Sequence, residues 1–407
     1  MPIDKNLNFE ISSPENYNDN IFLEDTLLPF SPVVLDFIKD VSDEILSNSF
    51  YKNYPQLMTV AFWMRKNNIL KLKNNFNEQK NSDSIKMPRG VVFHITPSNV
   101  DTIFVYSWFL SMLVGNINIL KISRKKSEQI KLLLEVINEI AKKEEYKSIR
   151  DRFLIIRYAN EKEVTSYFSS HCDMRVIWGG DKTINAVRSI SLPPCSNEIT
   201  FPDRFSYTVI NAEKFLHTDK QERFVDDFVK DAYSFDQNAC SSPRVVFWLG
   251  NKNTCEEARK VFWKRTEEKM ISLKIEINSS TIMDKFVVEN ILAIDSEDIR
   301  VEIGETNLIN RILFKSLNDI NRDIHTGGGL FFEYITENLD CLIPFVSRND
   351  QTLSYFGFDK TDIINFIEAN NLQGINRVVP VGKALDFSET WDGFRLLSEF
   401  SREIEVL

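Results

Sequence analysis

Apolar and polar residues fall in blocks along this chain, and from about residue 90 the blocks switch regularly between two periods. Residues 31–49, SPVVLDFIKDVSDEILSNS, place apolar side chains at helical spacing, and residues 1–85 read as mostly helical with a polar loop at 74–84. GVVFHITP (90–97) is a short apolar strand ended by a proline, and INILKIS (117–123) is another. Between them DTIFVYSWFLSMLVG (101–115) reads as an apolar helix closed at Gly115. An amphipathic helix at 126–145, a strand at 152–158, a helix at 160–171, a strand at 174–180 and a helix at 181–190 continue the series. Such alternation predicts a parallel sheet with helical crossovers. SYTVINA (206–212) reads as the last strand of this unit. A second α/β unit follows, with helices at 219–235, 253–270 and 359–371 and a strand in PRVVFWLG (243–250). The expected fold class is therefore α/β, two parallel-sheet domains with a helical N-terminal region. The expected segments are a helical region at 1–85, a first α/β domain at 86–212, a second domain at 213–380, and a C-terminal segment at 381–407.

Length agrees with this division, because 407 residues are too many for one small core. The formal net charge of -10 argues against nucleic acid as the partner. The most apolar stretch, 103–114, falls short of the roughly 20 residues a membrane span needs, so it reads as a buried helix. Five cysteines (Cys172, Cys195, Cys240, Cys255, Cys341) lie far apart with no CxxC pair or Cys/His cluster, which indicates neither a disulfide framework nor a metal site. The opening MPIDKNLNFE has no leader character, so a reducing, cytoplasmic setting is expected.

Candidate chemistry gathers at the strand ends. In SFDQNACSSPRVVFW (234–248), Cys240 sits between a helix and a strand, where a thiolate could meet a substrate. The other four cysteines read as small buried hydrophobes. The junctions HITPSN (94–99), LKISRKK (120–126) and IWGGDKT (177–183) offer amides, hydroxyls and cations suited to a dinucleotide, although no GxGxxG is present. HTGGGLFF (325–332) lacks the Lys-Ser/Thr of a phosphate loop, so its glycines read as structural. His94 and His325 are candidate proton donors, but a histidine within VVFHIT more often serves the core. WDGF (391–394) has no derivable chemistry beyond pinning the C-terminal segment.

GVVFHITPSNVDTIFVYSWFLSMLVGNINILKIS, IWGGDKT and FDQNACSSPR together resemble the aldehyde dehydrogenase superfamily. The spacing departs slightly, with Gln237 three residues before the cysteine rather than two. FPDRFSYTVI (201–210), FDQNACSSPRVVF (235–247), QTLSYFGF (351–358) and INRVVPVGKALDFSETWDGF (375–394) narrow the resemblance to the acyl-CoA reductase family, which includes the long-chain acyl reductases of bacterial bioluminescence operons. The resemblance implies that Cys240 is the nucleophile and that Asn99, with the Cys240 backbone N–H, holds the oxyanion. It implies that 86–212 is the dinucleotide-binding domain, on which 1–85 pack and to which 381–407 return, and that 213–380 is the catalytic domain. It implies cofactor contacts at Thr96, Pro97, Lys121, Ser123, Arg124, Gly179, Gly180 and Asp181. Arg124 stands where NAD-preferring relatives often carry an acid, which implies NADPH. Aligned on Ser206, the water-activating glutamate of aldehyde-oxidising members is replaced by Phe201. The implied activity is NADPH-dependent reduction of a long-chain fatty acyl-CoA to aldehyde through an acyl-cysteine thioester. The alternatives are an aldehyde dehydrogenase running toward the acid, or a non-reducing acyl-carrier or scaffold subunit. Implied partners are an acyl-CoA or acyl-protein thioester donor, an acyl-protein synthetase, an acyl-transferase, and further copies of the chain in a homo-oligomer.

Overall fold

The computed structural model describes residues 3–4, 6–78, 83–96, 103–125, 127–159, 161–296, 298–386 and 388–407. The chain divides into two compact units, Met1–Asp203 with Phe387–Leu407, and Arg204–Asp386.

The first unit is built on β1 (Glu10–Ser13), β2 (Ser84–Pro88), β3 (Val91–Ile95), β4 (Ile117–Ile122), β5 (Phe153–Arg157), β6 (Met174–Trp178) and β7 (Asn197–Phe201). Six of these form one sheet in the order β1-β5-β4-β3-β6-β7, parallel except for β1 at its edge. The chain runs outward from β3 to β5, then jumps back beside β3 to continue as β6 and β7. That reversal is the topological switch point at which open α/β sheets bind ligands, outside the carboxyl ends of the strands. The strands were legible as unbroken apolar runs because both faces are covered. Val91, Phe93 and Ile95 enter one core with Leu154, Ile156 and Phe168, while Val92 joins Leu120, Ile155 and Val176 on the other face. The helices Pro32–Ser47, Pro55–Trp63 and Lys66–Glu78 add Phe37, Leu57 and Leu72 to that second core. The last of them runs into the stretch expected to be a loop from residue 74. The short, polar β1 was not anticipated within the helical N-terminal region.

The second unit carries β8 (Phe205–Asn211), β9 (Val245–Leu249), β10 (Ile299–Ile303), β11 (Asn310–Phe314), β12 (Leu330–Thr336), β13 (Asp350–Phe356) and β14 (Arg377–Pro380). Their order is β10-β11-β12-β9-β8-β13-β14, with only the β10–β11 pair antiparallel. This corrects the expected boundary at 212. The 206–212 strand is not the last of the first sheet but the middle of the second, where Tyr207 and Val209 share a core with Phe247 and Leu353. The boundary after residue 380 also shifts. The turn beyond β14 belongs to the second unit because buried Asp231 accepts hydrogen bonds from the backbone N–H of Gly382 (2.6 Å) and Ala384 (3.1 Å).

After residue 387 the chain rejoins the first unit. β15 (Thr390–Trp391) and β16 (Phe394–Arg395) form a hairpin whose two turn residues, Asp392 and Gly393, both have positive φ (49° and 82°). This is the mirror-image turn that matches strand twist, and Asp-Gly is its usual sequence. Trp391 packs on Tyr106 (5.1 Å) and Trp178 (6.0 Å), and Phe394 on Phe201 (5.9 Å). WDGF is therefore a packing device. β17 (Ser401–Glu405) then pairs with β2.

Candidate active site

The helix Gln221–Tyr233 ends in a loop that carries Cys240 to the amino end of β9. The loop is tied down residue by residue. Gln237 is fully buried and adopts φ 61°. Its amide donates to the carbonyls of Pro243 (2.8 Å) and Leu330 (2.9 Å), and its oxygen accepts from Gly329 N–H (2.9 Å). Gly328 N–H donates to the Asp236 carbonyl at 2.9 Å. The Ser206 hydroxyl, at the start of β8, donates to the Cys240 carbonyl (2.6 Å) and accepts from Thr352 N–H (3.1 Å). The Ser242 hydroxyl donates to the Asp231 carbonyl (3.0 Å), fixing the loop to its own helix. Cys240 stays half-buried within this frame and outside any disulfide. Beside it, the buried Ser241 hydroxyl has no hydrogen-bond partner among the described residues. Sequence reasoning gave Ser241 no role and used Ser206 only as an alignment anchor.

The glycines of HTGGG serve this loop. Gly327, Gly328 and Gly329 have φ of 74°, 61° and 85°, a conformation that disfavours any side chain. A Cβ at Gly329 would sit 2.0 Å from the Leu308 carbonyl oxygen, and one at Gly328 2.1 Å from Thr281 Cγ2.

The remaining cysteines and histidines separate cleanly. Burial pushes the Cys172 thiol up to about 12 and Cys255 to about 11, which suppresses the nucleophilic thiolate. Cys341 is half-buried and also raised by burial, whereas Cys195 is exposed, contrary to the expectation that it would be a core residue. His325 accepts from Gly327 N–H (3.1 Å) and bonds the Leu330 carbonyl (2.8 Å), and burial drives it down to about 3. His94 contacts Ser107 (2.8 Å) and Asn118 (3.1 Å), and burial drives it down to about 4. Both imidazoles are neutral and occupied on each nitrogen, so neither is a proton donor near pH 7.

The expected cofactor residues that are described lie at the carboxyl ends of the first sheet. Thr96 follows β3 and bonds the Lys121 carbonyl through both its N–H (3.1 Å) and its hydroxyl (3.0 Å). The Lys121 ammonium lies 5.6 Å from the Tyr158 ring centre, and its pKa is lowered by burial. Ser123 accepts from Lys125 N–H (3.1 Å), and Arg124 is exposed beyond the end of β4. Gly179 and Gly180 follow β6, with Gly180 capping the helix Asp181–Arg188. A Cβ at Gly180 would meet the Asp203 carboxylate at 2.9 Å. Pro97 and Asn99 lie outside the described residues.

The sequence profile of acyl-CoA reductases (LuxC) matches residues 64–272, just over half of the chain. The chain belongs to the acyl-CoA reductase (LuxC) family. The matched span includes both the carboxyl edge of the first sheet and the Cys240 loop. No curated protein sequence matches the chain. Solved aldehyde dehydrogenase structures share its fold at low identity. Lactaldehyde dehydrogenase from Escherichia coli is 13% identical, with a TM-score of 0.64 over 92% of this chain and 87% of that one. Betaine aldehyde dehydrogenase from Staphylococcus aureus, solved with NAD+, is 13% identical, with a TM-score of 0.62 over 92% of this chain and 81% of that one. A bifunctional proline utilization A protein is likewise 13% identical, with a TM-score of 0.67 over 92% of this chain. The chain spans only 42% of that larger protein. The fold is thus that of aldehyde dehydrogenases, as the family resemblance implied.

At the position of interest to an acyl-CoA reductase, Phe201 ends β7. Its buried ring stacks on Trp178 at 3.9 Å and 22°. Glu198, the nearest acid upstream, accepts from the Arg175 guanidinium (2.7 Å from Nε) and pairs with Arg188 (3.1 Å). Glu198 is thus committed to two guanidinium groups. Among the described residues no cluster of His, Cys, Asp or Glu could hold a metal, and no helix is long and apolar enough to cross a membrane. An open groove of about 740 Å³ lies against the Lys252–Ser272 helix and does not include the Cys240 loop. Its Arg259, Glu256, Arg300 and Glu302 are committed to one another as ion pairs.

Proposed function

We propose that this chain is an NADPH-dependent acyl-CoA reductase that forms fatty aldehyde through a thioester on Cys240. The observation that carries the reading is the half-buried Cys240 on a loop stapled by Gln237 and Ser206, within a family of acyl-CoA reductases. The Cys240 thiolate attacks the acyl thioester carbonyl, a C–S bond forms, and the carrier leaves as its thiolate and takes a proton. Asn99 and the Cys240 backbone N–H are the oxyanion donors that the family pattern assigns. NADPH, when bound, supplies the hydride that reduces the acyl group. The resulting thiohemiacetal on Cys240 then releases aldehyde and restores the thiolate.

The donor set suits an anionic dinucleotide on the β4 side of the sheet. Lys121, Arg124 and Lys125 close that strand, and Thr96 and Ser123 add hydroxyls. Asp181 and the Asp203 carboxylate beside Gly180 put negative charge at the other turn, which disfavours phosphate there. An arginine at position 124 favours a 2′-phosphate. Where the family pattern of aldehyde-oxidising members has a water-activating glutamate, this chain has Phe201, whose ring cannot act as that base, which favours reduction over hydrolysis.

The test is intact-mass measurement after incubation with fatty acyl-CoAs of several lengths, with and without NADPH. Hydroxylamine-labile acylation that is lost in Cys240→Ala and discharged as aldehyde by NADPH is the expected result. Acylation that NADPH leaves in place favours the carrier reading. Oxidation of aldehyde to free acid with NADP favours the dehydrogenase.

A further inference from the structure

The helix Ser279–Asp295 of the second unit is turned inside out. Its buried side chains include Lys285 and Glu289, beside Val288 and Leu292. The Lys285 ammonium donates to the Asn307 carbonyl (2.5 Å) and Asn310 Oδ1 (3.1 Å), and the Asn310 amide in turn donates to Glu289. The polar residues are thereby satisfied inside. The outward side chains are apolar: Met283, Phe286, Val287, Ile291 and Ile294 are 60%, 58%, 46%, 43% and 83% exposed. At 100° per residue these five, with exposed Ser279, Ser280 and Asn290 among them, fill one arc of about 140° that contains no charge. A helix on the surface of a lone soluble chain has the opposite arrangement.

We propose that this face is the contact by which two copies of the chain associate. At roughly 150–200 Å² per fully exposed side chain, the five supply on the order of 500 Å² of apolar surface. Two copies would then bury about 1,000 Å², the threshold for a specific interface, through this helix alone. An uncharged face pairs with itself without burying a lone ion. A lipid surface fits poorly, because the charged residues bordering the stripe, Asp284 and Asp295, are both acidic, whereas interfacial helices carry Lys and Arg. Those two acids lie along one edge only. A two-fold axis parallel to the helices sets the acidic edges on opposite sides of the contact, whereas an axis across them gathers all four carboxylates. The parallel arrangement follows, with Asn290 facing its own counterpart.

Sedimentation and light scattering at micromolar concentration test this. The wild-type chain is expected to have the mass of two or more copies. Met283→Lys with Ile294→Lys is expected to weaken association on the order of 100-fold, because lysines would have to be buried unpaired. Circular dichroism and acylation of Cys240 should stay unchanged, since neither site touches that loop. As a second measurement, Asn290→Cys in a Cys195→Ser background should form a disulfide-linked dimer under mild oxidation that Cys195→Ser alone does not form. A monomeric wild type, an unchanged mass in the double variant, or binding to lipid vesicles in place of self-association overturns the proposal.

Discussion

Replacing Gln237 by Ala tests whether the cysteine loop is held as the hydrogen bonds indicate. The variant removes the amide that joins Pro243, Leu330 and Gly329. The Leu330 carbonyl retains His325, but the Pro243 carbonyl and Gly329 N–H lose this partner inside a fully buried site. Each of the two orphaned groups costs about 1–3 kcal/mol, so the second unit should lose about 2–6 kcal/mol. With a urea slope of about 2–3 kcal/mol/M, the unfolding midpoint should fall by about 1–2 M. Fluorescence from Trp248 and Trp263, both buried in that unit, reports the transition. Even where the variant is folded, acylation of Cys240 should slow on the order of 100-fold, since a displacement of about 1 Å has that effect on a positioned nucleophile. An unfolding midpoint and an acylation rate both equal to wild type would refute the staple.

Arg124→Glu should lower kcat/KM for NADPH by about 10–100-fold while sparing NADH, the worth of one charge-assisted phosphate contact; equal losses with both cofactors would place the phosphate elsewhere. Gly328→Ala should destabilise by about 1–3 kcal/mol through its positive φ and the 2.1 Å approach to Thr281 Cγ2. Thr281→Ser, which removes that methyl, should recover part of the loss on thermal melting. Acid should act unequally on the two units. His94 binds its proton at about 6.5 when unfolded and about 4 when folded, so stability of the first unit falls by about 3 kcal/mol as pH drops through that window. In the second unit His325 acts in the same direction, but Asp231, raised by burial to about 7, gains stability as pH falls toward 4. Hydrogen exchange at pH 5 should therefore open peptides of the first unit preferentially, and uniform loosening of both would contradict these assignments.

What could be read from the sequence was whatever is local. VVFHI, INILKI and FLIIR announce themselves because each is buried on both faces. The candidate nucleophile stood out because its motif is contiguous. The 206–212 strand was assigned to the wrong unit because an apolar run does not disclose which sheet it joins. Gln237 was noted only as a departure in spacing, because its partners at Gly329 and Leu330 lie about ninety residues downstream. The Asp-Gly turn at 392–393 was overlooked because each of its strands has only two residues. The Ser279–Asp295 helix would mislead any reading by periodicity, since its apolar stripe marks the outside.

The late return of residues 387–407 bears on how the molecule is made. Leu396, Leu397 and Phe400 complete the first core, and β17 covers β2, yet these residues are synthesised after the whole of Arg204–Asp386. Emerging from a ribosome, the second half is contiguous and can mature while the first still waits for its closing strand. Domains usually ripen in the order they are translated. Here that order is expected to reverse, and a released chain truncated after Asp386 should shield its thiol loop from protease while the earlier half is still digested.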